Sequence, residues 1–258
     1  MNMTSPRTTD AKHAFAKVPE LTLLFWVIKI AATTLGETGG DAVSMSMNLG
    51  YLVATAIFGV AFLVAVIVQI KTTRFRPLVY WTTIVATTTV GTTLADFADR
   101  SLGIGYAGGA SLLFVLLIAT LVIWRRAMGS VSVESVANPR AECFYWVTIM
   151  FSQTLGTALG DWTADSAGLG YAGGVLIFVA LLAVVAAFHF FTQVSRTALF
   201  WAAFILTRPL GAVVGDFLDK PHASGGLDLS RYWASATLLA FMMGCILLFP
   251  QRAARTAH

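Results

Sequence analysis

The chain has 258 residues, of which 57% are hydrophobic and only 12% charged, with a mean hydropathy of +0.76. Soluble domains carry about 25% charged residues, so this composition excludes an ordinary water-soluble enzyme and predicts a polytopic membrane protein. A spanning helix needs about 20 apolar residues, so the length accommodates eight spans and no separate soluble domain. The formal charge of +4 is read by position, and nothing in it calls for nucleic acid.

In chain order, residues 1–20 form a polar tail without the basic, apolar and small-residue layout of a cleavable signal. The first span therefore acts as an uncleaved targeting signal. A single transmembrane domain over 21–250 follows, then a short tail, 251–258. Cys143 and Cys245 fall in or beside apolar stretches and read as packing residues, since two such cysteines make neither a disulfide framework nor a metal site.

Within the domain, four segments align without gaps. Each opens on an aromatic-Trp pair: Phe25-Trp26, Tyr80-Trp81, Tyr145-Trp146 and Phe200-Trp201. A glycine follows each Trp by ten residues, at Gly36, Gly91, Gly156 and Gly211, and five residues later comes an aspartate, Asp41, Asp96, Asp161 or Asp216. In the first three copies a tyrosine, Tyr51, Tyr106 or Tyr171, begins a second apolar run ten residues further on. The fourth reaches Tyr232 after sixteen, which places an insertion around 221–228. The spacing predicts repeats at about 21–71, 76–126, 141–192 and 196–250. Glycines 55, 65 and 55 residues apart make copies one and two recur as three and four, the mark of two rounds of duplication.

Each copy reads as a helical hairpin: a first helix from Trp to Asp, a Gly-rich turn, and a long second helix, over about 51–70, 106–124, 171–191 and 232–249. The fold class expected is all-α, eight transmembrane helices in four repeated hairpins, with either pseudo-fourfold or pseudo-twofold symmetry. Glycines beside the turns, including Gly39, Gly40, Gly105, Gly108, Gly109, Gly170, Gly173 and Gly174, would let helices approach closely. Two crossings per copy put both termini and the loops between copies on one side. Twelve of the seventeen basic residues collect there: Arg7, Lys12, Lys17, Lys71, Arg74, Arg76, Arg125, Arg126, Arg140, Arg196, Arg252 and Arg255. By the positive-inside rule that face is cytoplasmic. The four Trp residues then belong to an interfacial aromatic belt or to helix packing.

Positions four apart share a helix face. Offsets −7, −3, +1 and +5 from the repeat glycine give Lys29, Thr33, Glu37 and Asp41 in copy one, and Ile84, Thr88, Thr92 and Asp96 in copy two. Copy three has Ile149, Gln153, Thr157 and Asp161, and copy four has Phe204, Arg208, Ala212 and Asp216. Further carboxylates follow at Asp99, Asp165 and Asp219, with Ser44 in copy one. Eight of thirteen acidic residues thus belong to the repeat. The fifteen residues from Trp to Asp span about 22 Å, inside a hydrocarbon layer of about 30 Å. Ionisable groups at that depth mark an ion, proton or substrate path.

Oxygen ligands suit hard cations, so Asp41, Asp96, Asp161 and Asp216 are the expected metal ligands. Glu37 is a further ligand or proton carrier. Thr33, Thr88, Thr92, Thr157 and Gln153 supply supporting oxygens, and Asp99, Asp165 and Asp219 guard the entrance or cap helix ends. Manganese is favoured over magnesium as the exported ion, with coupling to protons. Lys29 and Arg208 support two other readings. They could serve an anion carrier, or pair with the carboxylates in a non-transporting scaffold whose polar network sets helix register. Pro209 is expected to kink or interrupt its helix, making copy four the mobile element. No resident cofactor, catalytic residue or enzymatic activity is expected. The partners are the lipid bilayer and the transported ion, and a homo-oligomer is compatible with this reading.

The strings Lys17-Val-Pro-Glu-Leu-Thr-Leu-Leu-Phe-Trp26, Thr33-Thr-Leu-Gly-Glu-Thr-Gly-Gly-Asp41 and Ser152-Gln-Thr-Leu-Gly-Thr-Ala-Leu-Gly-Asp-Trp162 resemble a largely uncharacterised family of bacterial integral inner-membrane proteins. The resemblance covers about 17–252 and implies fold and location rather than activity. A looser likeness, at Glu37-Thr-Gly-Gly-Asp41, is to manganese or calcium exporters with two homologous halves, each carrying a Glu-x-Gly-Asp motif. This chain has one residue more and lacks their basic follower. That likeness implies cation transport only as a class.

Overall fold

A computed structural model describes residues 17–133, 136 and 138–254. Arg7, Lys12 and Arg255, with most of the two predicted tails, lie outside the described residues. Eight α-helices are present among them: α1 (Leu23–Asp41), α2 (Tyr51–Lys71), α3 (Pro77–Asp96), α4 (Tyr106–Met128), α5 (Pro139–Asp161), α6 (Gly170–Phe191), α7 (Arg196–Asp219) and α8 (Arg231–Leu248). No strand is found there, only an isolated bridge between Pro19 and Ala253. Their starts follow local chemistry. Thr22 and Asn138 cap α1 and α5 through their side-chain oxygens, and proline stands at the first turn of α3 and α5, where its missing N–H costs nothing.

In the first three copies the first helix passes at its Asp into a five-residue π-helical turn, at Ala42–Ser46, Phe97–Ser101 and Trp162–Ser166. The turn to the second helix then uses glycines with positive φ, such as Gly103 and Gly105 (+69° and +76°). Copy four differs through its insertion. The segment after α7 folds back on that helix, where Leu227 donates to the Phe217 carbonyl and Leu229 to that of Leu218 (2.8 and 2.9 Å).

The four first helices form a closed inner ring, with α1 against α3, α3 against α5, α5 against α7 and α7 against α1. Each second helix packs outside the ring, chiefly on the first helix of the next copy. Thus α2 lies along α3, α4 along α5, α6 along α7, and α8 closes the circle on α1. The hairpin expected within each copy is therefore not the packing unit.

Two sets of residues set this order. Aromatic residues at the start of each first helix meet the Trp of the next copy: Phe25 with Trp81, Tyr80 with Trp146, Tyr145 with Trp201, and Phe200 with Trp26, at centroid distances of 5.5, 5.9, 6.2 and 6.1 Å. Trp81, Trp146 and Trp201 are buried and Trp26 is half-buried, so the repeat tryptophans pack between the inner helices. The repeat glycines supply the second set. A Cβ on Gly36, Gly91, Gly156 or Gly211 would strike Thr88, Gln153, Arg208 or Thr33 of the neighbouring helix. One turn on, a Cβ on Gly40 would lie 3.1 Å from Thr92, and one on Gly215 would lie 2.7 Å from Glu37. Small residues four apart thus let each first helix bury its neighbour's polar stripe against bare backbone.

The outer helices expose apolar side chains, and α2, α4, α6, α7 and α8 are long and apolar enough to cross a membrane. Helix α7 stays continuous through Pro209, which corrects the expected interruption. Cys245 is buried, but Cys143 is exposed and no packing residue. At the aromatic end of the ring the segments before α1 and after α8 lie together as a strap, with Ala254 donating to the Val18 carbonyl and Glu20 to that of Arg252, both at 2.9 Å. The indoles of Trp81 and Trp201 donate to Gln251 Oε1 and the Val131 carbonyl (2.8 and 2.9 Å), tying the strap and the α4–α5 connection beneath the ring.

Candidate functional site

The polar stripe of every inner helix faces into the ring, and its residues are buried. They stack in levels along the ring axis. Nearest the strap, Tyr80 and Tyr145 join hydroxyls at 2.7 Å within a closed aromatic layer. Above it, Lys29 lies over the Phe204 ring, 4.2 Å from its centroid, level with Ile84 and Ile149. Next come Thr33, Thr88, Gln153 and Arg208, then Glu37, Thr92 and Thr157 with Ala212. The four aspartates stand at the far end.

Arg208 reaches across the ring. Its Nη2 donates to Glu37 Oε2 (2.9 Å), to Thr92 Oγ1 (2.6 Å) and to Thr157 Oγ1, tying α7 to α1, α3 and α5. Thr92 also donates to Glu37 Oε2 and to the Gly36 carbonyl, both at 3.2 Å. Thr33 bonds backbone carbonyls, including that of Thr207 at 3.2 Å, and so acts in helix packing. Lys29 makes no ion pair among the described residues. Of the two basic residues on the stripe, only Arg208 pairs with a carboxylate.

At the far end two cations bridge the aspartates in pairs. Arg100 Nε lies 3.1 Å from Asp96 Oδ1, and its Nη2 lies 3.4 Å from Asp161 Oδ2. Lys220 Nζ lies 2.6 Å from Asp41 Oδ2 and 3.0 Å from Asp216 Oδ1. Each cation thus joins the Asp four residues before it to the Asp of the following copy. Lys220, just beyond α7, is largely buried. Burial alone would weaken its ammonium, but Asp216, Asp41 and Asp219 hold it above the ordinary lysine range. Arg100 and Lys220 recur 120 residues apart, so the charge pattern is twofold where the backbone is fourfold. Neither was singled out by the repeat, although their i+4 spacing from Asp96 and Asp216 carried the signal.

Carboxylate oxygens of Glu37, Asp41 and Asp216 all lie within 4.8 Å of one another, on the adjoining helices α1 and α7. Asp96 and Asp161 fall outside that group. Of the expected entrance residues, Asp165 is exposed, while Asp99 and Asp219 are buried. Asp219 pairs with Arg231 Nε at 3.0 Å, and Asp99 packs against Gly109 with neither oxygen hydrogen-bonded.

A ring of four equivalent two-helix copies with one buried glycine contact and one buried Asp per copy defines a repeat protein of the helical membrane class. The chain belongs to the family described as a Repeat of Unknown Function (DUF347), which it matches four times, at 24–75, 79–130, 144–195 and 199–255. No curated protein and no solved structure matches it.

Proposed function

We propose that this protein is a transporter that exports a divalent cation, manganese before magnesium, along the axis of the inner ring. The observation that supports this most is the convergence of Glu37, Asp41 and Asp216, whose carboxylate oxygens lie within 4.8 Å of one another. Hard oxygen donors at that spacing suit a small divalent ion. The Lys220 ammonium, 2.6 and 3.0 Å from two of them, acts as a tethered cation that the metal displaces. When the metal leaves, the carboxylates can rebind Lys220 or take up protons, which couples export to proton entry.

In this reading all eight helices cross the membrane. Helices α1, α3 and α5 are the less apolar ones because their stripes face the ring and not lipid. The basic residues of the strap end, Lys17, Lys71, Arg74, Arg76, Arg125, Arg126, Arg140, Arg196 and Arg252 among them, place that end and both termini in the cytoplasm, the membrane being the bacterial inner one.

Vesicles holding the reconstituted protein and a manganese-sensing dye test the proposal. Wild type should carry manganese, and Asp41→Asn and Asp216→Asn should each cut the flux by roughly tenfold or more, since even indirect partners of a metal cost 10–100-fold. Asp96→Asn and Asp161→Asn, outside the three-carboxylate group, should cost less. Absence of flux in wild type would overturn it. The ion pairing of all four aspartates favours a second reading, a scaffold held by its polar network, which predicts no flux throughout and lowered stability in the same variants.

A further inference from the structure

The half of the axial column nearer the strap holds a surplus of hydrogen-bond donors that the carboxylate group does not use. Lys29 Nζ, on a residue with no solvent exposure, has no hydrogen-bond partner among the described residues and lies over the Phe204 ring face. One turn along, Arg208 spends Nη2 on Glu37, Thr92 and Thr157, while its Nε and Nη1 have no partner. Both amide atoms of Gln153 and the hydroxyl of Thr88 are likewise buried and unpartnered. These four side chains come from α1, α7, α5 and α3, so the ring itself gathers them.

Burying one such group costs a few kcal/mol and an uncompensated charge far more. The nearest carboxylate along the stripe among the described residues, Glu37 one turn further on, is engaged by Arg208 and Thr92. The four aspartates stand further along the axis, paired with Arg100 and Lys220. Deprotonating Lys29 would remove its charge and still leave the amine, the guanidinium nitrogens and the Gln153 amide without partners. One occupant answers the donors among them at once, Lys29 Nζ, Arg208 Nε and Nη1, Gln153 Nε2 and the Thr88 hydroxyl: a small group that carries negative charge and accepts from several directions.

We propose that a small monovalent anion of halide or nitrate size binds between Lys29 and Arg208, with the Gln153 amide and the Thr88 hydroxyl donating to it. This site stands on unpartnered donors and not on the carboxylate group, so it holds or fails independently of metal export.

The full-length protein, purified in detergent in sodium gluconate, is titrated with sodium chloride or sodium nitrate at constant ionic strength while thermal unfolding is followed. Wild type should show a saturable rise in Tm with either anion. Lys29→Met should lose that dependence while keeping or raising its Tm in gluconate, because it removes an uncompensated buried ammonium. Lys29→Arg and the surface variant Lys71→Met should retain it. Gln153→Leu, which leaves both cations in place, should raise the half-saturating concentration by roughly tenfold, the scale of one hydrogen bond to a charged group. The same Tm for wild type in gluconate, chloride and nitrate would overturn the proposal, as would an unchanged anion response in Lys29→Met or Gln153→Leu.

Discussion

Lys220 shows how one side chain can hold two copies of the repeat together. It follows Asp216 by four residues and so shares that helix face, but it also reaches Asp41 of copy one and closes the seam between the first and last helices of the ring. Breaking a buried ion pair by removing one partner leaves an uncompensated charge and costs about 3–5 kcal/mol. Lys220→Met should therefore destabilise the protein by about 3 kcal/mol, and adding Asp41→Asn should restore part of the loss, as measured by unfolding in detergent. The aspartates and their stripe are legible from offsets because a helix face is arithmetic. Lys220 and Arg100 are harder to place, because each follows a second carboxylate, Asp219 or Asp99, and that adjacency suggests a water-facing pair. The idle Nζ of Lys29 is not legible at all, since what a side chain lacks depends on three other helices.

At the scale of elements, inner and outer helices divide the work. Inner helices give their faces to one another, and that allows α1, α3 and α5 to carry threonines and carboxylates. Outer helices meet lipid around most of their surface. In α2 only Ala54 and Gln69 are buried, while Val60, near its middle, is 63% exposed. A charge there has no interior to face, so Val60→Arg should cost about 2.5–3.5 kcal/mol of membrane insertion, measured as a drop in the inserted fraction of α2 in a glycosylation-mapping assay. The second helices are plain in the sequence as long apolar runs. The π-helical turns that follow Asp41, Asp96 and Asp161 are not, because no residue type marks them. The spacing Gly36-x3-Gly40, repeated at Gly156 and Gly160 and at Gly211 and Gly215, is visible in the sequence. Its role, seating each neighbour's stripe, requires knowing which helix is the neighbour.

For the whole molecule, that neighbour relation is the main addition to the repeat. Short connections predict that consecutive helices pair, which holds for α2 with α3 but leaves α1 and α2 joined in sequence and apart in packing. Periodicity alone cannot distinguish these two pairings of the same eight helices, since each buries the same faces. The exchange makes the two halves interdependent: α4 of the first half lies on α5 of the second, and α8 of the second on α1 of the first. Separate chains spanning residues 1–130 and 131–258 should therefore assemble when co-expressed. A tag on either should retrieve both in mild detergent, and each half expressed alone should aggregate, as read by size-exclusion chromatography.

The strap adds one more property. Because Val18, just before α1, and Ala254, just after α8, are hydrogen-bonded to each other, the backbone of the four similar units closes almost into a circle. A gene that joined Ala254 to Val18 by a short peptide and opened between the second and third units would encode the same circle read from another starting place.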